Sequence, residues 1–90
     1  MSGFALQIVT PDGCMFQGQA QALLVPTTQG YVSIRKGHAD YVAALCSGTV
    51  SVTSADTVKK AACGGGFISV ENGEVRMVAT TFDYEEDTEH

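Results

Sequence analysis

An all-β sandwich or barrel is the fold this sequence predicts, and three observations predict it. Short runs of alternating apolar and polar residues recur along the chain. Turn-forming residues separate them every few positions, and no segment sustains an apolar period of 3.6 residues. The most explicit turn is Asn72-Gly73, which stands between two alternating runs, residues 67–71 and 74–79, and reads as a two-residue hairpin loop.

Residues 4–10 put Phe4, Leu6 and Ile8 on one face of a half-buried strand. Pro11-Asp12-Gly13 is a turn, because proline presets its own φ and glycine tolerates a positive one. Residues 14–16 read as a short return strand closed by Gly18, and residues 19–25 as the next strand. Pro26 is expected to end it, since proline cannot donate to a ladder. Gly30 and Gly37 bracket a short strand over 31–35 with Val32 and Ile34 on one face. Alanines in 38–45 favour helix, but the segment is short, and a turn followed by a strand from Tyr41 fits better. Residues 49–53 point Val50 and Val52 inward, and Ser54-Ala55-Asp56 turns the chain. Residues 57–63 carry Lys59 and Lys60 in mid-run, which suits an edge strand. Gly64-Gly65-Gly66 reads as a bulge or hinge. From Asp83 onward little order is expected, so the chain divides into one domain over 1–82 and an acidic tail over 83–90.

Ninety residues make one domain, with room for a sandwich core but little for a deep active site as well. The net charge of −5 is localised: five bases balance five acids before residue 83, and the excess is the tail acids Asp83, Glu85, Glu86, Asp87 and Glu89. A neutral body without a basic stripe argues against nucleic-acid binding. Cys14, Cys46 and Cys63 cannot all pair within one chain. No CxxC spacing occurs, and only His38 and His90 could join them on a metal. They read as free thiols in a reducing compartment. No signal or transit peptide is visible, and no apolar run approaches the ~20 residues of a membrane helix. Membrane association is therefore expected only through a partner.

The chemistry-bearing candidates are few. The three consecutive glycines lack the lysine, the Ser or Thr and the helix of a phosphate loop. His38 as a general base would need a nucleophile such as Cys46 or Cys63 and an orienting carboxylate such as Asp40. The simpler reading is a loop histidine that packs, caps or contacts a partner. The acidic tail lacks the glycine turn and spaced oxygens of a calcium loop. Catalytic, metal-binding and cofactor-binding residues are therefore assigned to none, and function is expected to reside in surface contacts.

Three stretches in order carry a resemblance: residues 8–28 (IVTPDGCMFQGQAQALLVPTT), residues 25–39 (VPTT-x-G-x-x-x-I-x-x-GHA) and residues 64–79 (GGGFISVENGEVRMVA). Together they resemble the amino-terminal domain of the epsilon subunit of F-type ATP synthase, called delta in mitochondria. The resemblance implies a flattened β-sandwich of about ten short strands. It implies a non-catalytic rotor part of the central stalk that packs on the gamma subunit, rests on the c-ring and helps couple ion flow to rotation and ATP synthesis. No cofactor, small-molecule substrate or nucleic acid is implied. The implied location is peripheral, on the cytoplasmic face of a bacterial inner membrane, with membrane contact only through the c-ring. Carried over by position, Gln29, Gly30 and Tyr31 form the ring-facing loop. Thr10, Gly37, His38, Ala39 and the strand from Tyr41 lie near the gamma-facing surface.

Four departures from the family pattern stand out. Tyr31 replaces an acidic residue after Gly30. Lys36 and Asp40 replace the two prolines of the family's PGHAP, which predicts a less rigid corner with a weak local charge pair. Val32-Ser33 replaces an aliphatic-glycine pair. The sequence ends at His90 without the family's C-terminal helical hairpin: at its natural length it would be a short form lacking the helical domain, and as a piece of a longer chain its acidic tail would mark the linker to that hairpin. Two alternatives stand beside the stalk subunit: a cysteine or histidine hydrolase, and a stand-alone sandwich with another partner.

Overall fold

The computed structural model describes residues 3–55 and 57–85, and these form ten strands and no helix. In chain order they are β1 (Phe4–Thr10), β2 (Gly13–Ala20), β3 (Ala22–Thr27), β4 (Gly30–Arg35), β5 (Tyr41–Leu45), β6 (Gly48–Ser54), β7 (Thr57–Cys63), β8 (Gly66–Glu71), β9 (Glu74–Ala79) and β10 (Phe82–Tyr84). Hydrogen bonding runs in the order β10-β7-β6-β3-β5-β8-β9-β1-β2, with β4 on the other side of β3. β4 takes one edge of β3 along its whole length. β6 and β5 divide the other edge: β6 holds Ala22 to Leu24, and β5 meets it only at Thr27↔Leu45. That single pair joins the two layers of the sandwich, β4-β3-β6-β7-β10 and β5-β8-β9-β1-β2. The far ends of the layers come together again where the Tyr84 hydroxyl of β10 donates to the Met15 carbonyl of β2 (2.9 Å).

The core follows from period-two alternation. Phe4, Leu6 and Ile8 meet Leu23, Val25 and Ile34, together with Val50, Val52, Ile68, Val70, Val75 and Met77, all buried. The expected alternation and the Asn72-Gly73 hairpin are both present, with Asn72 and Gly73 at positive φ (53° and 79°). Gly66 is a close approach: a Cβ there would collide with the Val78 carbonyl of β9.

Several boundaries differ from expectation. Pro26 does not end its strand, which runs on to Thr27. It pairs opposite Tyr31 on β4, and its carbonyl accepts the Cys46 amide (3.0 Å) on the other side, so its backbone is held without a donor of its own. β2 passes through Gly18 to Ala20, and the break falls at Gln21, whose amide donates to the Thr53 carbonyl (2.7 Å). β7 is an edge only at its start, because β10 pairs with Ala61 to Cys63. The boundary expected at Asp83 falls inside that strand: Phe82 is buried, and Asp83 and Tyr84 pair with Ala62 and Ala61. The rest of the expected acidic tail, residues 86–90, lies outside the described residues.

Candidate interaction surfaces

The 28–30 turn is built by one threonine. The buried Thr27 hydroxyl donates to the Gly30 carbonyl (2.6 Å) and accepts the Gln29 amide (3.1 Å). Gly30 takes φ 116°, which favours glycine. This leaves Thr28 and Gln29 exposed at the tip. The same device recurs at Thr10, whose hydroxyl accepts the Asp12 amide (3.1 Å) and approaches the Gly13 carbonyl (3.5 Å). Both turns read Thr-x-x-Gly, a repeated signal that sequence reasoning passed over. They lie at the same end of the molecule, because Thr27 pairs with Leu45, Leu45 with Gly66, Gly66 with Ala79, and Val78 with Val9.

Tyr31 leans back across Pro26 instead of pointing only outward. Its hydroxyl accepts the Thr49 amide (3.2 Å), beyond the point where β6 stops pairing with β3. Gly48 makes the room: a Cβ there would lie 2.9 Å from both the Tyr31 hydroxyl and Pro26. Tyr31 still exposes 57% of its surface.

The glycine corner is at the opposite end. The His38 amide donates to the Arg35 carbonyl (3.1 Å) across Gly37, which takes φ 85°. His38 Nδ1 donates to the Ala39 carbonyl (2.7 Å), and its ring sits edge-on to Tyr41 (5.6 Å). Asp40 accepts the Asn72 amide (3.1 Å), which ties the corner to the β8–β9 hairpin. Gly37, His38, Ala39 and Tyr41 thus stay together. Thr10 does not join them and sits with the 28–30 turn at the other end. Tyr41 is half-buried against the core, and the residue that β5 turns outward is its neighbour Val42, 72% exposed.

The structure assembles a feature that no local stretch displays. On the outer face of β5-β8-β9-β1, Ala44, Phe67, Val78 and Val9 stand in register, each paired with the next. With Val42 they form an apolar stripe, and Phe67 is 45% exposed. A solvent-facing sheet surface ordinarily alternates to polar residues here, so a stripe across four strands is a candidate interaction surface. Toward the corner the face turns polar. Gln7, Gln17, Gln19, Ser69, Glu74 and Arg76 line an open basin of about 580 Å³.

The thiols and His38 are not brought together. His38 lies before β5 and Cys46 just after it, so a five-residue strand, roughly 17 Å at ~3.4 Å per residue, separates them. Burial pushes the Cys63 thiol pKa up, opposed by a hydrogen bond from the Gly48 backbone. Burial also raises the Tyr84 hydroxyl pKa.

A family model described as ATP synthase, Delta/Epsilon chain, beta-sandwich domain matches residues 3–84. An ATP synthase epsilon chain from Endomicrobium trichonymphae is 34% identical over 79 residues, covering 88% of this chain and 57% of the relative. One from Ruminococcus albus is 36% identical over 81 residues, covering 90% and 60%. The chain thus spans about three fifths of these curated relatives. Among solved structures, a chain of the Euglena gracilis mitochondrial ATP synthase (OSCP/F1/c-ring) superposes with a TM-score of 0.88 at 22% identity, covering 98% of this chain and 57% of that one. A chain of the Tetrahymena thermophila mitochondrial ATP synthase central stalk and c-ring superposes with a TM-score of 0.78 at 13% identity, covering 87% and 63%. At these identities the structural likeness speaks for the fold.

Proposed function

The chain belongs to the delta/epsilon β-sandwich family of ATP synthase, and from that premise we propose that it is a non-catalytic rotor component of the central stalk. In this reading it binds the gamma subunit, rests on the c-ring, and helps couple ion translocation to rotation and ATP synthesis. It is held at the cytoplasmic face of a bacterial inner membrane through the ring. Among the described residues no helix is long and apolar enough to cross a membrane.

The observation that carries this reading is the apolar stripe Ala44–Phe67–Val78–Val9 with Val42. A monomer gains nothing by turning Phe67 and Val42 to water, whereas the centre of an interface is depleted in charge and enriched in aromatics. The stripe is assigned to gamma, with the corner of Gly37, His38, Ala39 and Tyr41 at its border. Thr10 lies at the far end of the same layer. The exposed turn of Gln29, Gly30 and Tyr31 is assigned to the ring. Gln29 is the cleaner probe there, because Tyr31 also holds Thr49.

The test mixes the chain with the gamma subunit from the same source, using size-exclusion chromatography with light scattering. A one-to-one complex lost in Val42→Lys and kept in Gln29→Asp supports the reading. Gln29→Asp should then weaken binding once the ring is added. Failure of the unaltered chain to bind gamma at micromolar concentration sinks the reading and leaves a family fold with a different partner.

A further inference from the structure

Cys46 and Cys63 are 17 residues apart in sequence and adjacent in the fold. Gly48↔Cys63 is the first pair of the β6–β7 ladder, and Cys46 sits two residues earlier in the turn from β5. The Cys63 sulfur lies 3.7 Å from the Cys46 carbonyl oxygen. Cys63 is buried, while Cys46 is exposed, its thiol directed at the carbonyls of Thr27 (3.5 Å) and Pro26 (3.8 Å). Cys14 is on β2, next to Met15, whose carbonyl accepts the Tyr84 hydroxyl, and makes no contact with either sulfur among the hydrogen bonds of the described residues.

The geometry points to an oxidisable dithiol: Cys46 and Cys63 close to an intrachain disulfide in the presence of a hydroperoxide, and this releases the base of the 28–31 turn. The two residues differ in the way such a pair requires. The exposed thiol meets the oxidant, and the buried one is sheltered from it but stands within reach of the first. The Cys46 sulfur attacks the O–O bond, gains an OH group as a sulfenic acid, and water or an alcohol leaves. The Cys63 sulfur then attacks the Cys46 sulfur, so that S–S forms and S–O breaks. Hydroxide departs with the Cys63 proton as water. Two thiols lose two electrons and the hydroperoxide gains them. Burial raises the Cys63 pKa, so it stays a thiol in the presence of the oxidant and reacts through proximity to Cys46. Closure asks for Cα atoms within about 7 Å, and a neighbour two residues along a ladder lies at roughly 7–8 Å, so closing the bond draws the β5–β6 turn in by about an ångström.

The consequence for the turn is geometric. In the disulfide the Cys46 sulfur leaves the Pro26 and Thr27 carbonyls. These immediately precede Thr28, whose amide donates to the Ala44 carbonyl (3.0 Å). Thr28 and Gln29 should then exchange their amide protons roughly two- to fivefold faster, the equivalent of losing one weak hydrogen bond. An effect on docking to the ring rests on the assignment proposed above; the disulfide and the exchange change do not.

The experiment uses the full chain carrying Cys14→Ser, treated with hydrogen peroxide, alkylated after unfolding, and read by intact mass and peptide mapping. The expected product has lost two hydrogens, takes up no alkylating agent, and joins the peptide of Cys46 to that of Cys63. Cys46→Ser in the same background should leave Cys63 reduced. A sulfinic acid at Cys46 with Cys63 still alkylatable, or an interchain dimer through Cys46, overturns the dithiol. A disulfide that leaves exchange at Thr28 and Gln29 unchanged overturns its coupling to the turn. Both readouts use the free chain, so a failure to bind gamma or the ring produces neither result.

Discussion

Phe67→Ala tests the stripe as an interface. Phe67 keeps 45% of its surface open in the isolated chain. A phenylalanine carries roughly 150–250 Å² to be buried, so about 70–110 Å² remains for a partner to cover. At ~25 cal/mol per Å² that is about 2–3 kcal/mol of contact made only in the complex. A loss of this size weakens binding to gamma roughly 30- to 150-fold and suits a hot spot at the middle of an interface. The side already covered within the free chain, roughly 80–140 Å², is worth about 2–3.5 kcal/mol to the fold by the same measure, so the binding loss is read on a chain shown to be folded. Titration calorimetry with gamma gives the first quantity and a urea melt of the free chain the second. Val58→Ala is the control. Val58 is 56% exposed but sits on β7, in the other layer, and should leave the affinity unaltered. A folded Phe67→Ala chain that binds gamma as tightly as the unaltered one refutes the assignment of the stripe.

The two Thr-x-x-Gly turns should respond unequally. Thr27→Val removes both hydroxyl contacts from a buried position and should cost ~1–3 kcal/mol in a denaturant melt, whereas Thr10→Val, half-open to water, should cost less than about 1 kcal/mol. Gly66→Ala should cost at least ~3 kcal/mol or prevent folding, because the new Cβ meets the Val78 carbonyl backbone and no flexible side chain. Stability should fall on the alkaline side. The folded pKa values of Cys63 and Tyr84 are raised above their ordinary 9.0 and 10.0, both by burial first. The unfolded chain therefore sheds these protons first. Their contribution is whole below pH 9 and is lost as pH climbs through the folded values. Melts from pH 8 to 11 should show the decline, and Cys63→Ala should flatten its thiol part.

Local pattern carried most of the strands. Phe4, Leu6 and Ile8, then Val50 and Val52, then the runs around Asn72-Gly73, declare their inward faces because alternation is a property of consecutive residues. Where the reading slipped, a neighbour distant in sequence had intervened. Pro26 stays within β3 because Tyr31 and Cys46 flank it. Asp83 and Tyr84 order because Ala62 and Ala61 offer an open edge. The corner at Gly37 and the turn at Gly30 were legible as turns. The inward packing of Tyr41 and the inner bond of Tyr31 were not, since each depends on which strand lies alongside.

The sequence by itself determined the class of fold, the places where the chain reverses, the neutral body, and the family through three stretches in order. Only the tertiary structure decided the surfaces. β1 pairs parallel with β9, a contact between residues about seventy positions apart in the sequence, and this puts Val9 beside Val78 and completes the stripe. The same packing parts Thr10 from His38 and sets Cys46 against Cys63. The physical reason is that strand register is fixed by which apolar faces can share one core, and that choice is made by the whole chain at once.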